Sequence, residues 1–206
     1  MARVSQEHLD ARRRQILEGA ARCFARSGFH GTSMQDVLKE VGLSAGAVYR
    51  YFTGKDDLIA AITEEAFANI RAAFEEATRT TPPPTPDVLL SRVLGGLFEG
   101  AVHGLERRTV ASLIVQVWSE TLRDERLAAL LEEGYAGMRI VWGRLVEAYR
   151  DAGILPEGVP DDHVARTMIA TAHGFIVQEA LFGDVQREVP ENGLRGLMSM
   201  GPQKAS

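Results

Sequence analysis

The stretch that most constrains the fold is Thr32 to Lys55, TSMQDVLKEVGLSAGAVYRYFTGK. It predicts two short helices joined by a tight turn. Thr32 or Ser33 caps the first of them, whose inner face is Met34, Val37, Leu38 and Val41. Gly42 supplies a permissive backbone where the chain must leave that helix. Leu43 turns inward, Ser44 caps the next helix, and Val48 and Phe52 point back into a small core. Ahead of this unit, residues 9–27 place Ile16, Ala20 and Phe24 at four-residue spacing, with arginines on the remaining faces and Ser27-Gly28 as the stop.

Two short helices crossing steeply form a helix-turn-helix, whose second helix enters the DNA major groove. The start of that helix must be small for the backbone to approach DNA, and Ser44, Ala45, Gly46 and Ala47 satisfy this. Tyr49 and Tyr51 carry hydroxyls suited to phosphate oxygens. Arg50 reaches a phosphate or a guanine edge, and Lys55 stands where an ammonium holds the backbone. Gln35, one turn into the first of the pair, is the candidate there for a base contact. The helix start at Thr32 and Ser33 is expected to offer free backbone amides to a phosphate.

Charge is distributed to match. The chain of 206 residues carries a net charge of -5. Residues 1–55 nevertheless hold nine basic against five acidic side chains, whereas residues 56–206 hold fourteen against twenty-three. A basic head on an acidic body suits local phosphate contact. A single cysteine, Cys23, excludes an intrachain disulfide and points to a reducing, cytoplasmic setting. No apolar run approaches the ~20 residues of a membrane span, and the N-terminus lacks the apolar stretch of a signal peptide.

The rest of the chain also reads as helix, without strand-like alternation or internal repeat. Lys55-Asp56-Asp57 opens a long helix to about Thr78, and the proline-rich Thr80 to Pro86 stretch breaks it. Further helices are predicted at 86–104, 107–122, 124–153, 160–183 and, shorter, near 190–200. Division at 55/56 gives an N-terminal three-helix head (1–55) and a helical body (56–206). No cluster of metal-ligating residues, Gly-rich phosphate loop, zinc-protease signature or nucleophile elbow occurs. No cofactor, metal or enzymatic reaction is therefore expected.

The pattern from Ile16-Leu17 through Ala20-Ala21, Phe24, Gly28-Phe29 and Gly31-Thr32-Ser33 to Val41-Gly42-Leu43-Ser44-Ala45-Gly46-Ala47-Val48-Tyr49-Arg50-Tyr51-Phe52 and Lys55-Asp56-Asp57-Leu58 resembles the N-terminal domain of TetR-family transcriptional regulators. The likeness covers about residues 10–60. It implies an all-α protein: a helix-turn-helix domain followed by a helical effector-binding and dimerisation domain. Phosphate contacts from Tyr49, Tyr51 and Lys55 are implied, with groove contacts near Gln35, Ala45, Gly46 and Ala47. Tyr51 stands where the family often has histidine.

The resemblance further implies a ligand-responsive repressor on a palindromic operator, and an effector pocket within the body. Residues suited to an apolar or amphipathic effector are Phe98, His103, Gln116, Trp118, Tyr135, Met138, Arg139, Trp142 and His173. Helix 160–183 is the expected homodimer element: Ala165, Met168, Ile169, Ala172, Phe175, Ile176 and Ala180 make it apolar on more than one face, which requires burial in a core or between subunits. An alternative keeps the DNA-binding head and replaces the small molecule by a protein partner. That alternative requires a filled core with no cavity.

Overall fold

A computed structural model describes residues 6–100, 105–155 and 158–200, with the side chains of 99 and 100 left undescribed. All regular structure in it is helical. The order is α1 (Gln6–Gly31), α2 (Met34–Val41), α3 (Ala45–Tyr49), α4 (Lys55–Thr78), α5 (Pro86–Gly100), α6 (Arg107–Glu120), α7 (Glu125–Asp151), α8 (Asp161–Phe182) and α9 (Glu188–Met198).

The head forms where the periodicity placed it. Ile16, Ala20 and Phe24 of α1 meet Val37, Val48 and Phe52, all fully or almost fully buried. Ser27-Gly28 bends the first helix rather than ending it. Gly28 takes φ 72° and ψ 168°, and the following turn lays Phe29 edge-on against Phe24, ring centres 4.9 Å apart. Ser33, not Thr32, caps α2. Its hydroxyl accepts from the Asp36 amide while the Asp36 carboxylate takes the Ser33 amide, a reciprocal capping box. Gly42 leaves α2 in the left-handed region, φ 66°, its N–H returned to the Leu38 carbonyl. On α1, Gly19 lets α2 come close: a Cβ there would stand 2.2 Å from a methyl of Val41.

The head core does not stop at residue 55. Leu58, Ile59 and Ala61 from the first turns of α4 belong to it, and so do Leu113 of α6 and Leu127 and Leu131 of α7. Polar ties run along the same seam. His30 meets Glu120 at 3.0 Å, Arg126 meets Asp57 at 3.0 Å, and Lys55 donates to the Phe29 carbonyl. Farther along, Phe74 and Ala77 of α4 join a second core with α5, α7 and α8. Its largest fully buried side chain is Trp142, packed edge-on against Phe74 at 5.0 Å. The Tyr149 hydroxyl donates to the Pro84 carbonyl and fixes the proline-rich turn after α4. The short α9 closes over α5 through the pair Arg195–Asp87, 2.8 Å, with the carboxylate buried.

Apolar residues of α8 turn inward. Ala165, Met168 and Ile176 are buried, and Ile169, Ala172, Phe175 and Ala180 are packed against the subunit's own second core. Of the two ways to bury this set, in a core or between subunits, the chain itself supplies the first, through α6 and α7. The outer face of α8 carries Ala170, Gly174 and Gln178, ending in exposed Leu181 and Phe182.

Gly19→Ala should destabilise the fold by about 1–3 kcal/mol, because the added methyl forces α1 and α2 apart at a buried seam. Gly96→Ala, on an exposed face of α5 with open space at its Cβ position, should be neutral or mildly stabilising. Paired urea unfolding curves measure the contrast.

Candidate functional site

Two sites emerge, one on the head and one inside the body. On the head, Ser44 caps α3 by accepting from the Ala47 amide, 3.3 Å, and its own side chain stays at the surface with Ala45 and Gly46. Val48 anchors α3 from below. Tyr49 and Arg50 project outward, Tyr49 with 47% of its surface exposed, and Gln35 is exposed on the neighbouring helix. Ala47 and Tyr51 are half-buried, Tyr51 with its ring against the core. The helix-turn-helix thus leaves Gln35, Ser44, Ala45, Gly46, Tyr49 and Arg50 exposed, a set of small, amide, hydroxyl-bearing and cationic groups. Arg22 and Arg26 of α1 are spent elsewhere, both on Glu40 at 2.8 and 3.3 Å.

Three expectations change in detail. Thr32 is buried, and its hydroxyl donates to the carbonyls of Cys23 and Gly28, so it braces the bend after α1 and does not face outward. The start of α2 already holds an anion. The Asp36 carboxylate accepts from the Ser33 hydroxyl and amide, which lower its pKa. The Ser33 amide is therefore not free, and the remaining open amides of that turn are those of Met34 and Gln35. Lys55 is half-buried and gives one of its three N–H groups to Phe29, leaving two more to give. Cys23 is a buried thiol whose burial pushes its pKa up, as expected of a packing residue.

Inside the body lies an apolar cavity with a free volume of about 110 Å³. Its walls come from α4 (Ile62 to Ile70), α5, α6, α7 and α8. Of the residues expected at a pocket, Trp118, Tyr135, Met138 and His173 line it. Phe98 and Trp142 are core residues instead: Phe98 lies under the Arg107 guanidinium, 5.0 Å from its ring centre, and Trp142 under Phe74. Gln116 lies by the bend at Gly28, and Arg139 is half-buried on α7, both outside the cavity wall. His103 lies outside the described residues. Sequence spacing missed the α4 wall, Ile62, Ala66, Phe67 and Ile70, because an apolar stripe on a helix looks the same whether a core or a cavity faces it.

The polar groups of the cavity cluster at one place. The His173 ring lies 4.7 Å from Trp118 and 5.2 Å from Tyr135, centre to centre. Burial pushes the Tyr135 phenol up to about 12, against a smaller lowering from the Trp118 indole. Burial likewise pushes the His173 imidazole down. Both groups are neutral near pH 7. No charged side chain lines the cavity.

A pH dependence follows. Unfolded, His173 binds a proton with the ordinary affinity, near pH 6.5; folded, it resists until lower pH. The unfolded state then binds more protons, so stability falls as pH drops through about 6.5 towards the lowered folded value. His173→Gln should flatten the stability profile between about pH 7 and 5 relative to the parent chain, as read from urea midpoints.

Comparison with known proteins agrees with both halves. Residues 16–62 match the profile of bacterial regulatory proteins of the tetR family, and residues 90–195 match the C-terminal domain of BetI-type transcriptional repressors. An uncharacterised HTH-type transcriptional regulator of Bacillus subtilis, YfiR, is 30% identical over 190 residues, 90% of this chain and 87% of that protein. Among solved structures, GusR of Salmonella enterica superposes with a TM-score of 0.74 at 23% identity, over 97% of this chain and all (100%) of that one. SmeT in complex with triclosan superposes at 0.72 with 21% identity, over 91% and 88%. No described helix is long and apolar enough to cross a membrane. With the helix-turn-helix and the helical body each matched in turn, the chain belongs to the TetR family of DNA-binding transcriptional regulators.

Proposed function

We propose that the protein is a homodimeric repressor, released from a palindromic operator by a small apolar or amphipathic effector. The observation that carries this is the course of α4: it starts under the recognition head with Leu58 and Ile59 and forms a wall of the internal cavity with Ile62, Ala66 and Phe67. A cavity at that place favours a small molecule over control by a protein partner alone. A structural neighbour holding triclosan supports the same choice. Residues 1–55 then act as the DNA-binding part and 56–206 as the effector-binding and dimerisation part.

On DNA, Ala45, Gly46 and Ala47 lie against the groove with Ser44 at the helix start, and Gln35 reaches a base edge. Tyr49, Arg50, Tyr51 and Lys55 hold the backbone, and beside Ser33 the open amides of Met34 and Gln35 face it. With no long polar side chain at 45–47, sequence preference rests on thymine methyls and on DNA shape as much as on direct hydrogen bonds. Two copies pair through the outer face of α8, where Gly174 and Ala170 allow close approach and exposed Leu181 and Phe182 need cover. The effector acts as a population shift, through its difference in affinity between the operator-competent and released states.

Fluorescence anisotropy of the protein on its own upstream intergenic duplex, against a scrambled duplex, tests this. Tight sequence-dependent binding with two subunits or more per site is expected; equal affinity for both duplexes counts against it. Arg50 has no carboxylate partner among the described residues. Arg50→Ala should therefore weaken binding to both duplexes and reduce the salt slope by about one phosphate contact, ~0.9 in log-log units. An unchanged slope would remove Arg50 from the backbone contacts.

A further inference from the structure

The cavity that the proposed function assigns to an effector has a chemical character sharp enough to name the effector's class. Its free volume, about 110 Å³, is the size of one ring: an apolar cavity of ~150 Å³ holds benzene and stays dry when empty. Aromatic faces and edges surround it, from Phe67, Trp118, Tyr135 and His173. Phe67 and Tyr135 are themselves set edge to face, 5.3 Å between centres. Stacking on such walls favours a flat aromatic guest.

Hydrogen-bonding capacity in the cavity is narrow. Thr63 has already donated its hydroxyl to the Ile59 carbonyl. The Tyr135 hydroxyl donates to no group among the described residues and keeps its O–H to give. The His173 ring makes contact with two aromatic neighbours, but neither of its nitrogens has a hydrogen-bond partner among the described residues. The described residues include one fully buried, unpartnered side-chain nitrogen, Arg107 Nε, which lies elsewhere. The His173 nitrogens therefore reach open space, and a neutral imidazole offers one donor and one acceptor. One donor from Tyr135 and a donor–acceptor pair from His173 match a hydroxyl, which both accepts and donates. A charged guest finds no counter-ion, since neither carboxylate nor guanidinium lines the cavity, and the cost of its desolvation stands.

We infer that the effector is an uncharged single-ring aromatic carrying a hydroxyl group, a phenol or aryl alcohol, seated with its ring among Phe67, Trp118 and Tyr135 and its hydroxyl on Tyr135 and His173. This rests on the effector-binding function proposed above. The ring fills the dry volume, while the hydroxyl satisfies polar atoms that an apolar guest would leave unpaired.

Isothermal titration calorimetry of the full chain tests it without DNA, using phenol, toluene, benzoate and phenyltrimethylammonium as probes. Phenol should bind one per chain, and benzoate and phenyltrimethylammonium should show no saturable heat. Tyr135→Phe and His173→Phe should each weaken phenol about tenfold, the worth of one hydrogen bond in a buried site, and leave toluene as tight or tighter. No saturable phenol binding by the parent chain, a cation or benzoate binding more tightly than phenol, or phenol affinity unmoved in both variants each overturns the inference. The four probes on the parent chain decide the class even where a variant fails to fold. Operator binding is read separately by anisotropy. Failure with phenol alongside intact operator binding removes this effector class and spares the repressor, while failure of operator binding removes the repressor itself.

Discussion

One helix serves two cores. The first turns of α4 are inseparable from the helix-turn-helix: Leu58, Ile59 and Ala61 are packed into it as tightly as Val37 and Val48 are. Its last turns are packed just as tightly in the body, through Phe74 and Ala77. Packed interiors are not continuously deformable. A change in the cavity wall between these two ends must move the head, move the body or strain the helix. The polar seam His30–Glu120 and Arg126–Asp57 sits at the same joint, on an exposed surface where each pair stabilises little. Attachment of head to body therefore comes from Leu113, Leu127 and Leu131.

The two sites use opposite electrostatics for a common reason. On the head, small residues at the start of α3 and an exposed arginine leave contact to a partner that brings its own negative charge. Within the body, burial keeps His173 and Tyr135 neutral, so the cavity is apolar save for one cluster of polar atoms. A guest entering such a space exchanges little hydration for much dispersion contact, and its orientation is set by that cluster alone.

Much of this was legible in the sequence. Gly42 and Ser44 marked the turn and the second cap because only a few residue types serve there, and Ile16, Ala20 and Phe24 gave the inner face of α1. The choice between Thr32 and Ser33 was not legible. Both hydroxyls suit a cap, and the bend at Gly28 decides the matter by swinging Thr32 onto the Cys23 and Gly28 carbonyls. Within the body, periodicity separates inside from outside but not core from cavity. Phe98 and Trp142 looked as suitable as Trp118 and Tyr135; the difference lies in whether Arg107 and Phe74 cover them. The apolar breadth of α8 requires burial. Its cover turned out to be α6 and α7 of the same chain, which no local pattern in α8 could state.

Coupling between sites is reciprocal: if a guest in the cavity alters the head, DNA on the head must alter the cavity. Hydrogen exchange of the free and operator-bound protein measures that without any effector. The account predicts that operator binding changes exchange in the α4 segment Ile62 to Ile70 and around Trp118 and Tyr135, as well as on the recognition surface. Changes confined to residues 32–55, with the cavity wall exchanging as in the free protein, would contradict it.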